Sequence, residues 1–533
     1  MKQINSLSIS SVILTLLICI PAVLIFIHIF FGESNNWQHL VDTVLYEYVF
    51  NSLYIMLGVA VLTSIIGFST AYITTMFKFS FSDFFHYALI LPFAIPTYIV
   101  AYIYGGMFDI TGSVTTFILN LLNMKISEVY FFDIMSIEGA IIVMSLVLYP
   151  YVYLVSKTYL RAESASIIDA SKTLGLSQWQ IFYKVIIPIS RPAIVAGVIL
   201  AVMEAVADFG VMDYFGVSTF VTGIFRTWFG MGSVEDASRL AGMLMLFIFL
   251  LIFFEKYQRK NKQYKSSGKD FKPISKIQLH GSKNILAFLA CFFPFFFGFL
   301  LPFFQMSYWF YLSYEYVIDE DFFTVLTQTL VIATFSALLI TLMAFVFVYN
   351  VRLSKSHFSD MLTQISKLGY SIPGAVIAVG ILSFFTLLDK NILAAFDANF
   401  LISGTIAAVI FGYCVRFLAI AINNYESGFS KIPFTYDDAC KTMNIKQKRV
   451  LWYVILPLIK NSGLAAFIIV FIEIIKELPL TMILRPFNYD TLAVLTHELV
   501  MQSQIVESSV PSMFIVGLGI ISVLILARKM IKD

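Results

Sequence analysis

The sequence predicts an all-α membrane protein with about twelve transmembrane helices, arranged as two homologous six-helix halves. Three observations carry that expectation. Of the 533 residues, 59% are hydrophobic and only 13% charged, against roughly 25% charged in a soluble domain. Apolar runs of about 20 residues, enough to cross a hydrocarbon core about 30 Å thick, recur along the whole length. A block of sequence also returns at a fixed interval. Lipid offers the backbone no hydrogen-bonding partner, so runs of this length satisfy their peptide groups as helices, not as short alternating barrel strands.

In chain order, the helices of the first half are expected over 9–31, 50–76, 84–108, 138–160, 187–207 and 240–254. Those of the second half are expected over 285–305, 325–350, 364–387, 401–423, 461–477 and 512–528. The first helix is too long for the apolar core of a secretion signal and has no clear small-residue cleavage site after it, so it is expected to be retained. Residues 111–124 form an extra apolar stretch, expected to lie at the interface or to re-enter. Pro92, Pro96, Pro373 and Gly374 interrupt their helices, which is tolerated where backbone lines a cavity or packs closely.

Charge placement sets the orientation. Between the halves, Glu255 to Asn284 carries nine Lys and Arg residues against two acids and has the composition of a solvated linker. It separates a first half, 1–254, from a second, 285–533. Arg528, Lys529 and Lys532 fall on the same side if twelve helices are counted. Gly32 to Tyr48 carries Glu33, Asp42 and Glu47 with no Lys or Arg, and Glu315, Asp319, Glu320 and Asp321 cluster on another outer loop. Both termini and the linker are therefore expected in the cytoplasm. Beside membrane spans, the basic linker is read as an orientation signal and not as a nucleic-acid site.

Several chemistries are set aside. The four cysteines, Cys19, Cys291, Cys414 and Cys440, form no CxxC pair, so neither a disulfide framework nor a zinc site is expected. The sequence holds no GxxxxGK[ST] phosphate loop, so any ATP must be bound by another chain. The six histidines show no ligand spacing; His497, beside Glu498 on an outer segment, is expected at the surface. Tyr149, Tyr151 and Tyr153 are expected to serve packing and interfacial anchoring.

The repeat is specific. Asp169-Ala-Ser-Lys-Thr-Leu-Gly175 returns as Asp438-Ala-Cys-Lys-Thr-Met-Asn444, and Val185-Ile-Ile-Pro188 as Val454-Ile-Leu-Pro457, all displaced by 269 residues. The same displacement relates Lys172 to Lys441, Gln178 to Gln447, Glu204 to Glu473 and Thr222 to Thr491. A gap-free match of this length marks a duplication. Each copy reads as a short helix (Ser164 to Leu174; Tyr436 to Met443), a break, and a second helix running to the proline. The break wants a backbone with φ > 0, which Gly tolerates best and Asn next.

This pattern resembles the EAA loop of ABC-importer permeases, with Asp169 and Asp438 in the Glu position. Asp169, Ala170, Gly175 and Pro188 occupy its fixed positions within 169–188, as do Asp438, Ala439, Asn444 and Pro457 within 438–457. The sequence departs from the pattern by Asp for Glu at 169 and 438, and at Ser171, Cys440 and Asn444. With Leu148-Tyr-Pro150, the segment Glu204 to Arg226 and Lys476-Glu477-Leu-Pro479, the chain resembles the fused two-half permeases of ferric-iron ABC importers. Thiamine, phosphonate and other small-solute permeases remain alternatives, and an ion-coupled secondary transporter is a more distant one.

The resemblance implies a type I ABC-importer permease fold, a bacterial inner-membrane location and alternating access. It also implies two copies of a cytoplasmic ABC ATPase docked on the two loops, a periplasmic iron-binding protein, and no cofactor on this chain. Within the spans, Glu204 and Asp208 lie one helical turn apart, as do Glu473 and Glu477. Carboxylates at such places are costly and usually face a cavity. Their oxygens suit a hard cation such as Fe³⁺ in transit, although helix capping or pairing with Arg226, Lys476 or Arg485 would equally explain them.

Overall fold

The computed structural model describes residues 6–31, 36–124, 133–260, 276–393 and 401–532. Among them, eleven helices are long and apolar enough to cross a membrane, and twelve if one bent pair counts as a single span. The long spans are Leu45–Met76, Ile137–Thr173, Val234–Lys260, Glu320–Ser354, Ile406–Ser430 and Ile505–Lys532. With them run the unbroken stretches Ser282–Val317, Gln178–Ala207 and Gln447–Lys476, each carrying an internal π-turn. Five of these nine begin before and end after the stretches expected from apolarity alone, because polar residues at their ends continue the helix. Between Val317 and Glu320 the loop expected on the outer side shrinks to a turn in which Asp319 accepts the Phe322 N–H at 2.8 Å and caps the next span.

The bent pair is Ser82–Ala94 with Thr97–Leu122, at 87°. A 3₁₀ turn, Leu91–Ala94, is followed by extended Ile95 and by Pro96 at φ −55°, ψ 144°. Pro96 cannot donate to the preceding turn and holds Ile95 out of the helical region. The second copy repeats the device: a 3₁₀ turn Lys367–Ser371, extended Ile372, then Pro373 at φ −55°, ψ 145°. From Pro96 to Pro373 the displacement is 277, not 269. The first copy is thus longer in the segment that holds the helix Ser113–Leu122, where Phe117 and Leu121 are exposed. This helix covers most of the extra stretch 111–124.

Two compact units interleave along the chain. One comprises 1–34, 224–243 and 319–495; the other comprises 35–223, 244–318 and 496–533. In the latter, Leu45–Met76, Ile137–Thr173 and Gln178–Ala207 pack on one another. Small residues set the approach: a Cβ on Gly67 would lie 2.7 Å from the Tyr149 carbonyl oxygen, and one on Gly197 2.6 Å from the Val152 Cα. Helices without a hydrophobic drive to associate gain stability from such close packing. Tyr149 and Tyr153 are fully buried there. The other unit packs Glu320–Ser354, Ile406–Ser430 and Gln447–Lys476 in the corresponding way. The linker re-enters the described structure as a two-residue strand, Ile277–Gln278, parallel to Phe77–Lys78.

Candidate functional site

The two repeated loops have the same backbone. Gly175 adopts φ +78° and Asn444 φ +54°. The Leu176 N–H donates to the Ser171 carbonyl at 3.2 Å, and the Ile445 N–H to the Cys440 carbonyl at 3.0 Å. This six-residue closure ends a helix only if the residue before the donor is left-handed. No atom lies within 4 Å of a Cβ built on Gly175, so the demand there is torsional and not steric. Beyond the break, a π-turn occupies Phe182–Ile186 in one copy and Leu451–Ile455 in the other, again 269 apart. Each precedes its proline, Pro188 or Pro457. A proline ring removes one donor and crowds the carbonyl four residues back, and a wider turn relieves both.

The copies differ in how the loop is held. In the first, one helix runs from Ile137 to Thr173, so the membrane span continues into the segment containing Ala170; the side chain of Asp169 lies outside the described residues. The separate helix expected from Ser164 is therefore absent. In the second, the span ends at Ser430 and a short helix, Thr435–Thr442, follows. Pro433 stands where the first copy has Ser164, which explains the break. Arg352 then fixes the detached segment. It pairs with Asp437 at 2.6 Å, donates to the Ile432 carbonyl at 3.1 Å and the Pro433 carbonyl at 3.3 Å, and stacks on Phe434 at 4.9 Å. Asp438 is exposed and meets Lys441 at 3.6 Å, a contact worth little in water. Sequence reasoning passed over Leu174 and Met443, 269 apart, both exposed apolar side chains beside the left-handed residue.

The four carboxylates fall as two matched pairs, one in each unit. Asp208 ends the helix Ile187–Ala207 and accepts the Val211 N–H at 3.0 Å, and Thr97 donates its hydroxyl to it. Glu477 ends Leu456–Lys476 and accepts the Leu480 N–H at 3.1 Å. Val211 and Leu480 are themselves 269 apart. Glu477 also pairs with Arg416 at 2.9 Å, both mostly buried. Its Oε1 sits so near Gly374 that a Cβ there would collide with it. Gly374 occupies the position of Thr97, so each acid meets the start of the helix that follows an Ile-Pro break. Glu204 and Glu473, one turn earlier, are half-buried on their helices. Among the described residues, no three His, Cys, Asp or Glu side chains come together as a metal cage.

Compared with known proteins, residues 63–255 and 346–532 each match the family of binding-protein-dependent transport system inner membrane components. The chain belongs to that family. Both repeated loops and both carboxylate pairs lie inside the matched segments. The permease is 23% identical over 529 residues to the Fe(3+)-transport system permease protein FbpB 2 of Haemophilus influenzae, covering 98% of each chain. It is 24% identical over 477 residues to the ferric transport system permease protein FbpB of Actinobacillus pleuropneumoniae, covering 85% of this chain and 67% of that one. The sulfate transport system permease protein CysT of Escherichia coli matches more briefly, at 24% over 155 residues. The permease is a multi-pass, duplicated membrane subunit.

His497 corrects an expectation. It is 1% exposed, not on the surface. Its Nδ1 lies 2.5 Å from the Tyr102 hydroxyl and its Nε2 3.4 Å from Asp213. The Tyr102 hydroxyl and the Asp213 carboxylate give each ring nitrogen a polar neighbour, which is what permits burial. Tyr214 packs edge-on against Tyr102 at 5.0 Å. The helix Leu492–Met501 that carries His497 is mostly buried; the charged Glu498 beside it gave the opposite signal in the sequence.

Proposed function

We propose that this permease forms the translocation path of an ATP-driven ferric-iron importer. Iron is delivered at the outer face by a periplasmic binding protein. Two copies of a cytoplasmic ATPase dock on the loops 169–188 and 438–457, and their closure on ATP switches the helices between outward-open and inward-open states. Only a partner that binds the two states unequally can move that equilibrium. The termini and the basic linker lie on the ATPase side.

The observation that carries this reading is the duplicated loop. Two segments 269 residues apart keep a left-handed residue, the same closing hydrogen bond and a π-turn before proline. Each also presents an exposed apolar side chain, Leu174 or Met443, beside the break. An apolar tip on a rigid polar loop suits a partner's groove. The iron assignment draws support from the full-length similarity to ferric permeases. In the path itself we assign direct contact with the cargo to Glu204 and Glu473. We assign Asp208 and Glu477 to holding the helix breaks in place. A ferric ion would meet these groups in passing, as cargo.

The test is uptake by cells producing the permease with its ATPase and binding protein, against cells lacking only the permease. Labelled ferric iron should accumulate only when it is present, and labelled thiamine should not respond. Uptake of thiamine alone would sink the iron assignment while leaving the importer mechanism standing. Persistence of uptake after both loops are replaced by flexible linkers would sink the mechanism itself.

A further inference from the structure

On the linker side, one unit gathers positive charge without a matching set of acids among the described residues. Lys157 is only 7% exposed; its Nζ is 2.8 Å from the Tyr153 hydroxyl and 4.8 Å from that ring's centroid. Among the described residues it has no ion pair. His86, 9% exposed, holds Lys276 at 3.1 Å through Nε2, while its Nδ1 is buried with no hydrogen-bond partner. Lys157, Lys276 and Arg161 all lie within electrostatic reach of the His86 ring, and Lys78 reaches Lys276. Asp83 is the acid that acts on Lys276 in return. The arrangement is held by backbone: the strand Ile277–Gln278 pairs with Phe77–Lys78, and the Leu279 N–H donates to the Lys78 carbonyl at 2.9 Å.

Ordinary interfacial lysines extend into water and keep their hydration. Lys157 does not, and a buried amine flanked by further cations keeps its charge only if an anion completes it. The cationic groups also gather at one place: buried Lys157 and exposed Arg161 and Lys276 all act on the His86 ring. That set matches the several oxygens of one phosphate. We propose that Lys157, Arg161, Lys276 and His86 form a binding site for a phosphate group. The position beside a helix end at the membrane surface makes an anionic phospholipid headgroup the natural source. Through Lys276 the bound headgroup would also pin the end of the linker to the loop that follows Met76.

The full chain is placed in nanodiscs of mixed phosphatidylcholine and phosphatidylglycerol, and the lipid retained on it is counted by native mass spectrometry. Wild type should keep phosphatidylglycerol in preference. The double variant Arg161→Gln/Lys276→Gln alters two exposed side chains and leaves the buried ones in place. It should lose that preference by roughly fivefold for each cation removed. In a second arm, lipid-depleted protein is titrated with inorganic phosphate while its unfolding temperature is read. Stabilisation of wild type but not of the double variant, without preferential lipid retention, would keep the site and assign it to a soluble phosphate. A double variant that matches wild type in both arms overturns the proposal. So does an equal loss in Lys283→Gln, an exposed cation outside the cluster, because simple surface attraction would then suffice.

Discussion

At the scale of single residues, the two copies separate what a position demands from what it tolerates. Gly175 and Asn444 share one left-handed backbone, and a β-branched side chain there costs about 1–2 kcal/mol. Gly175→Val is therefore expected to distort the first loop and cut ATP-dependent uptake several-fold, while Asn444→Gly keeps uptake near wild type. Unchanged uptake in Gly175→Val would count against the loop as a coupling element. His497 gives a second case. Tyr102→Phe removes the partner of Nδ1 and leaves a buried ring nitrogen unsatisfied, a loss of about 1–3 kcal/mol. The unfolding temperature should fall, whereas Tyr98→Phe, which spares the Tyr102–His497 bond, should change it less.

At the scale of elements, the sequence disclosed more about repetition than about continuity. Both loops, their left-handed residues and their prolines were legible because Gly, Asn and Pro restrict φ directly. The joining of span and loop into one helix, Ile137–Thr173, was not legible, because polar Ala-Glu-Ser-Ala-Ser breaks an apolar pattern without breaking a helix. The capping bonds of Asp208 and Glu477 were foreseen only as one of two readings, since a carboxylate at a span's end looks the same whether it faces backbone or cavity. Arg352 was invisible, because its partner Asp437 lies 85 residues away. Its structural effect can be tested alone. Arg352→Ala leaves Asp437 and three carbonyls, those of Phe429, Ile432 and Pro433, without their donor, a local loss of about 2 kcal/mol given the partial exposure of Asp437. Trypsin should then cut faster at Lys446, Lys448 and Arg449, while the first loop, continuous with its span, keeps its rate. Equal acceleration at Arg161 and Lys184 would point instead to global loosening.

At the scale of the whole molecule, the sequence halves and the compact units are not the same partition. The helix Ser6–Phe31 belongs to the unit built around 319–495, where a Cβ on Gly380 would lie 2.6 Å from the Pro21 carbonyl oxygen. The helix Ser282–Val317 belongs to the unit built around 35–223, where a Cβ on Gly298 would lie 2.4 Å from the Leu146 carbonyl oxygen. Such contacts are as close as those within either repeat, so each half lacks a helix that its main unit needs. Residues 1–268 produced alone should therefore expose the surface that Ser282–Val317 covers, and residues 269–533 the surface that Ser6–Phe31 covers. Each fragment is expected to aggregate or be degraded. Producing the two fragments together should restore a pair that co-purifies through one affinity tag, because the exchanged helices and the strand at Ile277 hold them without a covalent link. Stable, monodisperse fragments made separately would mean that each half completes its own unit, and that the exchange contributes little to stability.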